Sequence, residues 1–188
     1  MSQFYYIASP RKLDIGTFGT KKVDVEEVEI ISTYKILVNS TREIECEFPI
    51  YEGKSLDEVK KGLMIYDTEE DAKGIYIGEL SNGAEMVKHH FTNEFVYDLA
   101  PVFGNFDCSY YFKGNYGEGD RYNKCFKVLF EYIRERLNHG EFIEVFASWA
   151  DEEKLDRKVE LDRDIFLNDE ISYGDFQIKD RQYTRFFL

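Results

Sequence analysis

The sequence predicts an α+β fold, a mostly antiparallel twisted sheet with one long packed helix and one or two short helices. Three observations carry this. Segments with strand periodicity follow one another in runs, with few helical crossovers between them, which separates the chain from doubly wound folds. Residues 43–50 alternate, with Ile44, Cys46, Phe48 and Ile50 on one side and Glu43, Glu45 and Glu47 on the other, the mark of a strand with one wet face. Residues 121–138 instead carry apolar side chains at steps of three and four, the period of a helix with one buried stripe. A chain of 188 residues that is 43% hydrophobic and 16% aromatic buries enough surface to offset its conformational entropy. With no internal repeat and no Pro- or Ser-rich linker, 1–188 reads as a single domain.

In chain order, Val23, Val25, Val28 and Ile30 alternate with acids except at Glu26-Glu27, where a bulge would restore the facing. Thr33 to Val38 is a β-branched run, and Asn39-Ser40-Thr41 turns it into the strand at 42–50. Pro49 places the end of that strand at an edge or exit, because it has no N–H to give a ladder. Ser55 to Gly62 reads as a short helix, with a hydroxyl cap, acids in the first turn and lysines in the last. Leu63–Tyr66 and Gly74–Leu80 read as strands around the acidic turn 67–73, followed by a turn at Ser81-Asn82-Gly83.

The stripe of the long helix is Tyr122, Cys125, Phe126, Leu129, Ile133 and Leu137, opposite Lys124, Lys127, Glu131 and Glu135. Asp120 stands at its N-cap position and Gly140 just past its end. Phe142 to Trp149 is the most hydrophobic strand and is expected at the sheet centre. Residues 158–167 alternate Val159, Leu161, Ile165 and Leu167 with charges, and 175–188 add a strand pair or one long terminal strand.

Charge is unevenly spread. Against 24 basic side chains stand 37 acidic ones, a formal net charge of −13. Residues 21–80 carry −7 and residues 141–188 carry −6, while 1–20 carry +1 and 81–140 carry −1. Such a field repels phosphates and anionic lipid, which bind by exchanging counterions for Lys and Arg. Direct nucleic-acid or membrane binding is therefore not expected, and a basic protein partner is. No apolar run approaches the length of a membrane helix. Three cysteines without CxxC spacing (Cys46, Cys108, Cys125) fit reduced thiols and a cytoplasmic location.

Five stretches could carry chemistry. Ser9 to Lys22 holds Arg11, Lys12, Lys21 and Lys22, with Gly16 and Gly19 to let backbone N–H groups approach an anion; its spacing is not that of a P-loop. Asp67 to Asp71 has oxygen ligands at alternate positions but lacks the glycine and glutamate of a calcium loop, so it reads as a surface turn. His89 and His90 are adjacent and are expected to point apart, and no His or Cys spacing marks a metal site; a Cys108–His pair is the one nucleophilic arrangement left open. Glu144, between Phe142 and Phe146 on one strand face, has the surroundings that raise a carboxyl pKa for general-acid work. The aromatic, Gly- and Asn-rich stretch 103–120 offers Tyr110, Tyr111 and Tyr116 as contact surface, alongside Glu43, Glu45 and Glu47.

Three functions fit. The first is an acidic cytoplasmic interaction domain binding a basic macromolecule, by analogy of size and charge with inhibitors and immunity proteins. The second is a small enzyme or ligand-binding domain using the 9–22 loop for an anion and Glu144 as acid or base. The third is a structural or regulatory domain. None calls for a cofactor.

Overall fold

The computed structural model describes residues 3–46, 49–50, 55–82, 84–106, 119–167 and 176–188, with the backbone alone over 119–123. The class is α+β, as expected: a seven-stranded sheet dominated by antiparallel pairs, a three-stranded sheet, and helices. The residues group into two compact units, one of Met1–Thr20 with Ala72–Leu188, the other of Lys21–Asp71. No helix among the described residues is long and apolar enough to cross a membrane.

The larger unit holds strands β1 (Gln3–Ser9), β2 (Gly16–Phe18), β6 (Gly74–Glu79), β7 (Phe95–Val102), β8 (Phe142–Trp149), β9 (Arg163–Phe166) and β10 (Tyr183–Phe187). They lie in the order β2-β6-β7-β1-β8-β10-β9, antiparallel throughout except for β9 beside β10. The N-terminal strand is the middle one, and β8 lies beside it as an interior strand paired on both sides, central as expected. Tyr5 stands between Leu99 of β7 and Ala147 of β8. Tyr5 to Ser9 are all buried, because both faces of this strand are covered, and such strands read as continuous apolar runs.

Helix α3 (Gly119–Arg136) covers one face of that sheet. Cys125, Phe126, Leu129 and Ile133 are fully buried against Ile7, Ile75, Ile77, Leu99, Ile143, Val145 and Phe186, while Lys127, Glu131 and Glu135 face solvent. Phe176 stands edge-on to Phe126 and Phe130, with ring centroids 4.8 and 5.0 Å apart. Each buried Phe contributes roughly 1.5–3 kcal/mol, and here the aromatic share of the chain has a structural use. On the opposite face Tyr6, Val87, Phe146 and Tyr183 form a smaller cluster, partly roofed by the 3₁₀ helix Ala84–His90.

The smaller unit holds β3 (Val28–Ser32), β4 (Lys35–Val38) and β5 (Arg42–Glu45) in the order β3-β4-β5. Ile36, Val38 and Ile65 are its buried core, with Val23, Val25, Ile44, Cys46 and Leu63 packed around them. Helix α1 (Leu56–Gly62) begins at a capping box: the Ser55 hydroxyl accepts the Glu58 N–H, and the Ser55 N–H donates to the Glu58 carboxylate at 2.8 Å. Helix α2 (Glu69–Ala72) is capped by Thr68, whose Oγ1 accepts the Asp71 N–H. The acidic stretch 67–71 is thus a helix start.

Several expected elements differ. Residues 23–27 are not a strand, because the Asn39 side chain takes the place of a partner strand. Its Oδ1 accepts the N–H groups of Glu26 (2.8 Å) and Glu27 (3.2 Å), and its Nδ2 donates to the Asp24 carbonyl. The register irregularity falls at Ile30/Ser32 instead of 26–27. The turn at 39–41 is present, with Asn39 and Ser40 both at positive φ. Leu63–Tyr66 joins no ladder; single bonds from Val23 N–H and the Arg42 guanidinium tie its carbonyls. Residues 158–167 divide into a 3₁₀ turn (Val159–Leu161) and β9, and 175–188 contribute one short strand, β10.

Candidate functional site

Of the basic residues at 9–22, Arg11 is taken up by internal contacts. Arg11 donates to the Arg136 carbonyl at 2.7 Å and to the Glu141 carboxylate at 2.8 Å. The Asn138 N–H and then Arg11 hold the Glu141 carboxyl below its ordinary value. Gly19, at φ +78°, packs where a Cβ would lie 2.4 Å from Val128 Cγ2, so its missing side chain seats the loop on α3 and is not spent on an anion. Gly16 opens β2, Lys12 is exposed, and Lys21 and Lys22 are exposed residues of the smaller unit. Nearby, Tyr132 donates to the Asp14 carbonyl under the Arg136 guanidinium, and burial lifts its phenol to about 12.

Glu144 is fully buried. Its Oε1 accepts the Thr92 N–H at 2.8 Å and the Tyr183 hydroxyl, and its Oε2 accepts the Asn93 N–H at 2.8 Å. The carboxylate therefore fastens the turn at 92–93 to β8. Burial, and then Glu144 itself, raise the Tyr183 phenol above its usual value. Gly16 on β2 and Glu144 on β8 stand four strand spacings apart, roughly 19 Å, so the sheet does not bring them together. On β5, Glu43 and Glu45 are exposed, with the Lys35 ammonium 2.5 Å from Glu43. Glu47, Cys108, Tyr110, Tyr111, Tyr116 and the side chains of Asp120 and Tyr122 lie outside the described residues.

The histidines do not point apart. The rings of His89 and His90 meet at 3.8 Å between centroids, and His90 stacks on Phe146 at 4.0 Å. His89 bends back to the Met86 carbonyl, while His90 Nε2 bonds the Glu153 carbonyl at 2.8 Å. Burial lowers the His90 pKa. Among the described residues no three His, Cys, Asp or Glu side chains gather as metal ligands.

The sheet face opposite α3 carries a groove of about 650 Å³, within the usual range for ligand sites. Register explains how it forms. Tyr76 of β6 pairs with Ala100 of β7, and Gly78, Asp98 and Tyr6 form the next row across the face, since paired residues share a face; Phe4, two residues before Tyr6 on β1, lies on the same side. The small Ala100 leaves a floor between the aromatic walls of Tyr76 and Phe4. The Tyr76 ring lies over the Gly78 backbone, where an added Cβ would come within 2.6 Å of its Cε1. Phe4 (45%), Tyr76 (45%) and Met86 (47%) are large apolar side chains left exposed around it.

Its charged groups are mostly acidic. Asp98 Oδ2 accepts the N–H and the hydroxyl of Ser81. Asp151, Glu153 and Lys154 come from the segment after β8. That segment is pinned by the His90–Glu153 bond and by Glu152 N–H to the Trp149 carbonyl. Tyr6 is 3% exposed and lines the groove. Burial, then Glu153 and Asp98, raise its phenol pKa. A second concavity, of about 360 Å³ beside α1, is lined by Glu26, Glu27, Glu29 and Asp57 with Lys60 among them, and it lacks aromatic walls.

Sequence reasoning did not find the groove. The available signal was the period-2 placement of Phe4 and Tyr6, hidden inside an unbroken apolar run. The chain matches no family model, no curated protein and no solved structure.

Proposed function

We propose that this chain is a protein-interaction domain that engages a basic partner through the groove on the open face of its seven-stranded sheet. The observation that carries the reading is the meeting of exposed aromatic walls (Phe4, Tyr76) with the carboxylates of Asp98, Asp151 and Glu153 around one groove. Exposed apolar patches rimmed by charge mark interaction sites, and a net charge of −13 steers a cationic partner toward the surface. Glu144 and Arg11 are each engaged by internal partners, which leaves the anion-binding and acid/base reading with less support.

The test is a titration of the full chain with a labelled basic peptide over a range of salt concentrations. Affinity is expected to fall steeply with salt. The double substitution Asp98→Asn with Glu153→Gln should weaken binding about tenfold, from the loss of close charge pairs. Glu43→Gln with Glu45→Gln removes the same charge from β5 and should leave affinity nearly unchanged. Equal losses from the two pairs would mean that net charge alone attracts the peptide, and the groove would have no part in it.

A further inference from the structure

We infer that the groove is selective for arginine, holding a guanidinium between the Tyr76 ring and the carboxylates of Asp98 and Glu153. This rests on the reading of the groove as a site for a basic partner and adds the side chain that anchors it.

Three observations converge. The first is a flat aromatic wall. Tyr76 packs against Gly78, where an added Cβ would come within 2.6 Å of its Cε1, and it stays 45% exposed, which leaves ring surface open to a stacking partner. Planar guanidinium stacks on such faces, whereas ammonium is a compact, strongly hydrated point charge.

The second is acceptor capacity. In the row Gly78–Asp98–Tyr6, Asp98 uses Oδ2 for both Ser81 bonds, and its Oδ1 has no hydrogen-bond partner among the described residues. Glu153 is tied through its carbonyl to His90, and its carboxylate forms no ion pair among the described residues. Both carboxylates line the groove together with Tyr6.

The third is Tyr6 itself. It is 3% exposed, lines the groove, and its hydroxyl has no hydrogen-bond partner among the described residues. Its oxygen is therefore free to accept a bond from a guest in the groove. A guanidinium brings five N–H donors in a fixed fork, enough for two carboxylates and the Tyr6 oxygen together; an ammonium brings three. The small side chain of Ala100 leaves room for the plane, and Phe4 and Met86 line the same groove beside the aliphatic stem.

The experiment compares two labelled peptides of equal charge, one with arginine and one with lysine as its cations, against the full chain and Tyr76→Leu at physiological salt. The arginine peptide is expected to bind the native chain about tenfold more tightly. Tyr76→Leu should erase most of that preference, with thermal unfolding showing that the half-exposed position tolerates the change. Equal affinity for the two peptides, or a preference that survives Tyr76→Leu, overturns the arginine anchor and leaves the basic-partner reading standing. No binding of either peptide overturns both.

Discussion

The two units of this protein solve the burial problem in different ways. The larger draws its core from aromatic and aliphatic side chains between an 18-residue helix and the sheet, Phe106, Phe126, Phe130 and Phe186 all fully enclosed. The smaller has three short strands over Ile36, Val38 and Ile65, and leaves Ile30, Ile31 and Tyr34 exposed. It also carries fourteen acidic against seven basic side chains between Lys21 and Asp71. A small core under net self-repulsion is marginal, and the smaller unit depends on point devices: the capping box at Ser55, the Lys35–Glu43 pair and the bonds of Asn39. The lesson is that packing holds one region and hydrogen-bonded fasteners hold the other.

That contrast can be broken by substitution. The largest expected effect is Phe126→Ala, a cavity under α3 costing about 3–5 kcal/mol, read as an earlier denaturant midpoint in the fluorescence of Trp149, the one tryptophan. An effect near 1 kcal/mol would mean that the aromatic cluster collapses readily and packing is not what holds the region. Next is Glu144→Ala, which orphans two N–H groups and a buried hydroxyl and should cost about 3 kcal/mol in the same assay. A variant that keeps its stability but loses a measurable activity would return Glu144 to a chemical role. The smallest is Asn39→Ala, about 2 kcal/mol from lost bonds and from a positive φ that alanine tolerates poorly. It should weaken hydrogen-exchange protection across Lys35–Val38 while leaving the Trp149 transition in place. A matching shift in both would show that the two units unfold together.

What could be read in advance follows from how one-sided each element is. The strand ending at Glu45 and the stripe of α3 each bury one face, so period 2 and period 3.6 stand out. β1 is covered on both faces and β7 is half-buried along most of its length, so neither shows alternation, although together they make the middle of the sheet. Glu144 is conspicuous as a carboxylate in an apolar strand, but Thr92, Asn93 and Tyr183, which use it, lie 39 to 52 positions away. The basic character of 9–22 is plain in the sequence; that Arg11 closes on Glu141, 130 residues later, is a property of the folded chain. The groove draws its lining from four stretches, and register alone puts Asp98 between Gly78 and Tyr6.

One further consequence lies in the pairing of β2 with β6. Phe18 stands directly opposite Ile75, so the polypeptide leaves the seven-stranded sheet and re-enters it on neighbouring rungs, after an excursion that contains the whole of Lys21–Asp71. Closing so long a loop costs only slightly more than closing a short one. The ladder's alignment is therefore indifferent to what hangs from it, and this junction is a natural port at which sequence can be lengthened, trimmed or exchanged while the aromatic groove keeps its geometry.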